Sequence, residues 1–188
     1  MRREIVWERL DRLGLEHVTL DIGPDTVRAD GLLLLGLDEG LARVRYAIEC
    51  DGAWRTERAD FQLELGTDRR VLALRRDAQD RWSVNGNHRA DLGPCLEIDF
   101  AATPLTNTLA LKRLGLEPGK PKRMQAAYIT VPELSVRVDE QEYTLLSPAA
   151  PVGRFRYRGL STNFTAGVTM DPDGLVVNYP PGWRRRSA

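Results

Sequence analysis

The chain has 188 residues, 42% of them hydrophobic and 29% charged, with 27 basic and 27 acidic side chains that cancel. That length supports one domain with a substantial core, and the charge balance leaves no global field to draw it to nucleic acid or to an anionic surface. No apolar run approaches the length of a membrane span, so stable membrane insertion is not expected.

The N-terminal residues MRREIVWERLDRLG interleave charge with apolar side chains and do not read as a secretory signal, which makes the cytoplasm the expected compartment. Within them, Trp7, Leu10 and Leu13 fit helical spacing, but the same segment from Ile5 to Leu13 also suits a short strand, and both readings stay open. Glu16 to Asp21 alternates weakly and ends at the turn Gly23-Pro24-Asp25. Thr26 to Leu35 reads as a strand. Leu41 to Cys50 is the clearest one: Ala42, Val44, Tyr46, Ile48 and Cys50 fall on one face, opposite Arg43, Arg45 and Glu49. Asp51-Gly52 turns it back, and Ala59, Phe61, Leu63 and Leu65 continue the inward pattern.

Val71 to Leu74 and Trp82 to Val84 are short strands, followed by the hairpin signal Asn85-Gly86. Leu96, Ile98 and Phe100 alternate with Glu97 and Asp99. The stretch from Thr103 to Gly115 then breaks the strand pattern. Thr103-Pro104 is a helix start, with a hydroxyl for a free N–H and a proline that fits the first turn; Asn107 offers a later cap. Gly115 suits the left-handed residue that ends a helix, and Pro118 prevents continuation. Leu105, Leu109, Ala110, Leu111 and Leu114 spread around most of its circumference, as in a buried helix.

Beyond it lie strand patterns at Ala126 to Val131, Leu134 to Val138, Gln141 to Leu145, Phe155 to Tyr157, Phe164 to Met170 and Leu175 to Tyr179. Pro148 to Gly153 reads as the one hinge, and Pro180-Pro181-Gly182 as the end of the ordered pattern. Trp183-Arg184-Arg185-Arg186 reads better as a frayed tail than as a basic interface for anionic lipid. About a dozen strands with turns every ten residues or so, and no composition break, predict a single all-β, mainly antiparallel domain over residues 1–188, wrapped around one short helix at about 103–115.

Catalytic signatures are weak. His17 and His88 form no metal motif, and Cys50 and Cys95 read as buried reduced thiols; no metal and no cofactor is expected. No serine lies in G-x-S-x-G, and GLEPGK from Gly115 lacks the spacing and the hydroxyl of a phosphate loop. The triplet Asn163-Phe164-Thr165 fits a glycosylation acceptor, but without an export signal it is not expected to be used. Asp91, Glu97 and Asp99 would support acid–base chemistry only if two of them converged in one cleft. Lys112 and Arg113 stand out on the buried helix. A cation there needs a partner, and an ion pair with Glu97 or Asp99 is the leading expectation, ahead of a guanidinium holding a ligand head group.

These motifs together resemble the bacterial family of putative glycolipid-binding proteins. The resemblance is carried by Tyr46 to Trp54 (YAIECDGAW), the Trp82 hairpin, Cys95 to Asp99 (CLEID), Thr103 to Leu114 (TPLTNTLALKRL), Pro132-Glu133-Leu134, Gln141-Glu142-Tyr143, Phe155-Arg156-Tyr157 and the stretch from Phe164 through DPDGLVVNYP to Pro180. The family's central motif more usually reads TNTLPIRRL; here Ala110 stands for the proline, Leu111 for the isoleucine and Lys112 for the first arginine. The CLEID run carries Glu97 where the family often has aspartate.

The resemblance implies a spiral β-roll, an incomplete barrel around one helix, together with a homodimer and kinship of shape with periplasmic carriers of lipoproteins. It supplies no catalytic residue, and no enzymatic activity is expected. The expected function is binding or carriage of an amphipathic ligand such as a glycolipid on the concave face, where Asn107, Leu109, Arg113 and Asp99 are the candidate contacts on the helix and the neighbouring strand. The alternative is a structural or interaction protein with a permanently packed core, acting through a dimer or partner surface.

Overall fold

The computed structural model describes residues 1–147 and 153–186. The expected hinge at Pro148 to Gly153 therefore lies outside the described residues, except for Gly153. The first half is a meander of eight strands: β1 (Arg2–Arg9), β2 (Gly14–Ile22), β3 (Thr26–Leu37), β4 (Gly40–Asp51), β5 (Thr56–Leu65), β6 (Asp68–Arg76), β7 (Trp82–Val84) and β8 (Asn87–His88). A short 3-10 turn at Ala90–Leu92 leads to β9 (Ile98–Phe100) and the one α-helix among the described residues, α1 (Leu105–Leu114). The second half comprises β10 (Pro121–Ile129), β11 (Val136–Ser147), β12 (Gly153–Gly159), β13 (Phe164–Met170), β14 (Val176–Tyr179) and β15 (Trp183–Arg186).

All fifteen strands belong to one sheet. Its order runs from β8 down to β1, crosses to β15, and descends from β15 to β9. Every pairing is antiparallel except β9 with β10. Since β8 and β9 are the two ends of that order, the sheet is open and not closed into a barrel.

The rolling follows from which side chains must leave water. The inward positions of β4 expected from the alternation, Ala42, Val44, Tyr46, Ile48 and Cys50, are all buried. They need a cover, and the far end of the sheet supplies it. On β9 and β10, Ile98, Phe100, Ala127 and Ile129 share one face, and the Phe100 ring lies 4.7 Å from Phe61 of β5 and 6.2 Å from Tyr46. The other face of the same strands carries Asp99 and Tyr128 toward the helix and the last strands. Adjacent Ala126 and Ala127 are both fully buried, as expected for a strand covered on its two sides. The sheet is thus a spiral whose inner turn is β9 to β11.

The structure settles one open reading and corrects two expectations. The segment Ile5 to Leu13, open between helix and strand, is strand as far as Arg9. Leu134 to Val138 and Gln141 to Leu145 are not two strands, because Val136 to Ser147 runs unbroken along β10 and β12. The sequence Trp183 to Arg186 is no frayed tail: it is β15, paired with β1 and β14, and it joins the two halves. Its three consecutive arginines conceal the alternation, yet each finds a carboxylate. Arg184 and Arg186 reach Glu8, and Arg185 reaches Asp171. Trp183 is buried beneath the Arg9 guanidinium, 5.8 Å from the ring centre.

Trp183→Ala is expected to destabilise the protein by about 3 kcal/mol, because it empties a core position at the seam between the halves; urea unfolding followed by tryptophan fluorescence and circular dichroism would measure it.

Candidate functional site

The helix starts and stops where its sequence says. The Thr103 hydroxyl accepts from the Leu105 N–H at 3.0 Å, Pro104 precedes the first helical residue, and Gly115 takes the left-handed conformation at φ 53°. The Lys122 ammonium donates to the last carbonyls, Leu114 and Gly115, at 2.8 and 2.9 Å. Leu105 to Leu111 are all buried, so the helix is a packed core element.

Two buried carboxylates hold it in place. At the C-terminal end the Arg113 guanidinium donates twice to Glu97, at 2.6 and 2.7 Å, with Glu97 1% exposed. The expected ion pair therefore forms with Glu97 and not with Asp99. Its neighbour Lys112 points outward over the Trp54 ring. At the N-terminal end, Glu16 of β2 is fully buried and its Oε1 accepts from both Thr103 and Tyr46, each at 2.6 Å. Tyr46 reaches Glu16 by lying across β3 at Gly31, where a Cβ would fall inside the ring. Glycine is required at that crossing. No basic group pairs with Glu16 among the described residues, and its Oε2 has no hydrogen-bond partner there. Burial pushes its carboxyl up to about 8, against the two hydrogen bonds that favour the charged form.

Beside the helix start lies a cavity of about 290 Å³. Its floor and walls come from elements far apart in sequence: Asp99 of β9, Asn107 of α1, Tyr128 of β10, Arg137 and Asp139 of β11, Tyr157 of β12, and Phe164 and Tyr179 at the far side. The rings of Tyr143, Tyr157, Phe164 and Tyr179 form a chain of tilted and edge contacts with centres 5.2 to 6.4 Å apart. Facing them is a polar network. Gln141 Nε2 donates to Asp99 at 2.6 Å and to Asp139 at 3.3 Å, Thr106 donates to Asp99 at 2.9 Å, and Tyr143 donates to Asn107 at 3.1 Å. Arg137 and Ser161 both donate to Asp139. Burial raises the Asp99 carboxyl above its ordinary range.

A larger depression, about 480 Å³, lies on the outer face among His17, Asp30, Leu32, Arg45 and Gln62. Those are outward strand positions on an open surface. The smaller cavity is the candidate site, since its polar groups are held rigidly by partners on several elements.

Of the four residues expected to contact a ligand, Asp99 and Asn107 line the cavity. Leu109 sits in the core at 1% exposure, and Arg113 is engaged with Glu97. Asp91, Glu97 and Asp99 do not converge: Asp91 pairs with Arg89, Glu97 with Arg113, and Asp99 faces the cavity. The acid–base reading that needed two of them in one cleft is withdrawn. Cys50 and Cys95 are free and buried, and burial pushes both thiols up to about 12, which keeps them unreactive. No cluster of three metal-ligating side chains occurs among the described residues. No helix among them is long and apolar enough to cross a membrane.

An open, many-stranded sheet rolled around one helix, with a polar and aromatic cavity at the helix start, defines a distinct class of rolled all-β proteins. The chain belongs to the family described as "Putative glycolipid-binding", whose sequence profile matches residues 4–185. It is similar to a protein of known crystal structure, a DUF1089 family protein from Pseudomonas aeruginosa, with 30% identity, 92% of each chain covered and a TM-score of 0.81. No curated protein matches the chain.

Arg113→Ala would leave Glu97 buried without its counter-charge and is expected to cost about 3 kcal/mol in urea unfolding at neutral pH. Glu16 gives a separate, pH-dependent signature. The folded protein keeps its proton up to about pH 8, whereas an unfolded glutamate releases it near 4.5. The folded state is thus favoured fully below 4.5, loses that advantage as pH rises to about 8, and loses no more beyond. Glu16→Gln should flatten this part of the stability profile, as read from thermal melts across the range.

Proposed function

We propose that the protein binds the saccharide head of an amphipathic ligand, a glycolipid, in the cavity at the start of the helix. The observation that carries this reading is that the aromatic side chains of Tyr157, Phe164 and Tyr179 and the polar ones of Asp99 and Asn107 line one cavity of about 290 Å³. A sugar ring offers both surfaces at once: C–H faces that pack on aromatic rings and hydroxyls that need fixed acceptors and donors. The family's description supports the same class of ligand.

The cavity's size suits one sugar unit, and its polar lining suits a head group better than an acyl chain. The leucines of α1 are packed in the core and pinned at both ends, so binding of the head group requires no displacement of the helix. In this reading the acyl part stays outside the roll, in a membrane or on a partner, and carriage is a matter of shielding the head.

A second reading, an interaction protein with a permanently packed core, draws support from the outer face. There Leu15 and Leu34 stand opposite each other on β2 and β3, both about half exposed, with Leu41 more exposed still. A homodimer or partner surface would cover them.

Titrating the protein with octyl glucoside below its micellar concentration, by calorimetry and native mass spectrometry, separates the two. Binding of one equivalent, weakened roughly tenfold or more by Tyr157→Ala, is the expected result. Absence of any glycoside binding would leave the interaction protein as the better account.

A further inference from the structure

The cavity is unequal in charge. It is lined by two carboxylates, Asp99 and Asp139, and one cation, Arg137; its remaining titratable groups are the phenols of Tyr128, Tyr157 and Tyr179. The Arg137 guanidinium is already engaged. It donates to Asp139 Oδ1 at 3.0 Å and lies over the Tyr128 ring, 4.6 Å from its centre. Ser161 donates to the same Asp139 oxygen. Asp139 is therefore paired and held by its own strand and the turn after β12.

Asp99 has no such partner. Its Oδ1 accepts from the Thr106 hydroxyl and its Oδ2 from the Gln141 amide, both neutral donors. No ion pair joins it to a basic side chain among the described residues. Each of its oxygens keeps a lone pair beyond the bond it accepts. Three aromatic rings, those of Tyr157, Phe164 and Tyr179, also line the cavity, and a ring face attracts a cation. A phosphate or carboxylate would meet two carboxyl groups and a guanidinium already committed elsewhere. An ammonium would meet a carboxylate with no ion-pair partner in a cavity walled by aromatic rings, two features that favour it.

Resting on the head-group reading above, we propose that this cavity selects a sugar bearing a free amine, with Asp99 as the residue that holds the ammonium. The raised Asp99 carboxyl agrees with the assignment: burial, aided by the nearby Asp139 charge, outweighs its two hydrogen bonds and the Arg137 charge, and an ammonium beside it would oppose that push. Asp139 remains tied to Arg137, and Asn107 is left to orient hydroxyls.

The test uses the full chain and three probes that differ in one group: the octyl glycosides of glucosamine, glucose and glucuronic acid, all below their micellar concentrations and at pH 6.5. The glucosamine glycoside is expected to bind roughly tenfold more tightly than the glucose one, and the glucuronic acid one more weakly than either. Octyl N-acetylglucosaminide, which removes the charge without touching the protein, should lose the gain. In Asp99→Asn, the ratio of glucosamine to glucose affinity should fall to about one. Equal binding of the glucosamine and glucose probes by the natural sequence would overturn the amine assignment while leaving the sugar site standing. A glucosamine preference that persists in Asp99→Asn would overturn the role of Asp99. If none of the probes binds, the sugar site and this inference fall together.

Discussion

The helix is held by a carboxylate at each end, and the rest of the molecule depends on that arrangement. A sheet of fifteen strands with one apolar face could roll in many ways around a smooth hydrophobic rod. Glu16 at Thr103 and Glu97 at Arg113 remove that freedom, since each would be left buried without its partner if the helix slid or turned. Fixing the helix fixes Asn107 and Thr106, and these set one wall of the cavity. The polar groups inside the roll therefore contribute register more than they contribute stability.

The two pins differ in chemistry. Glu97 meets a guanidinium in a bidentate pair. Glu16 meets only hydroxyls and holds its proton to about pH 8. One end of the helix is tied by charge and the other by hydrogen bonds to a carboxyl that holds its proton, so a rise in pH toward 8 bears on the second. The cavity opens at the neutral end.

Much of the architecture was legible because it rests on period-two alternation and on local turn chemistry. The β4 face from Ala42 to Cys50 and the helix between Thr103 and Gly115 are read from neighbours in sequence. The need for a partner to Arg113 was also legible, although which carboxylate answers it depends on the roll. What escaped is long-range. Trp183 to Arg186 lacks alternation, and its strand character comes from Glu8 and Asp171, which no local pattern links to it. Tyr157, Phe164 and Tyr179 come together only because three strands are adjacent in space. Glu16 left a clue that could have been used: it occupies the inward parity shared with Val18 and Leu20, where a glutamate has no business unless something inside receives it. Gly31 left another, as the one residue without a side chain on the inner face of β3 opposite a tyrosine.

The seam between β1 and β15 has a consequence for how the chain is made. Of the described strands β1 is made first and its second neighbour, β15, last, so the middle of this sheet is completed last. Until then the nascent protein is two separate meanders, each with an unsatisfied edge: β1 on one and β14 on the other. Closing the sheet brings Glu8 of β1 to Arg184 and Arg186 of β15. The strand that completes the sheet therefore brings its own counter-charges to Glu8, and it is tethered to the chain whose open edge it covers.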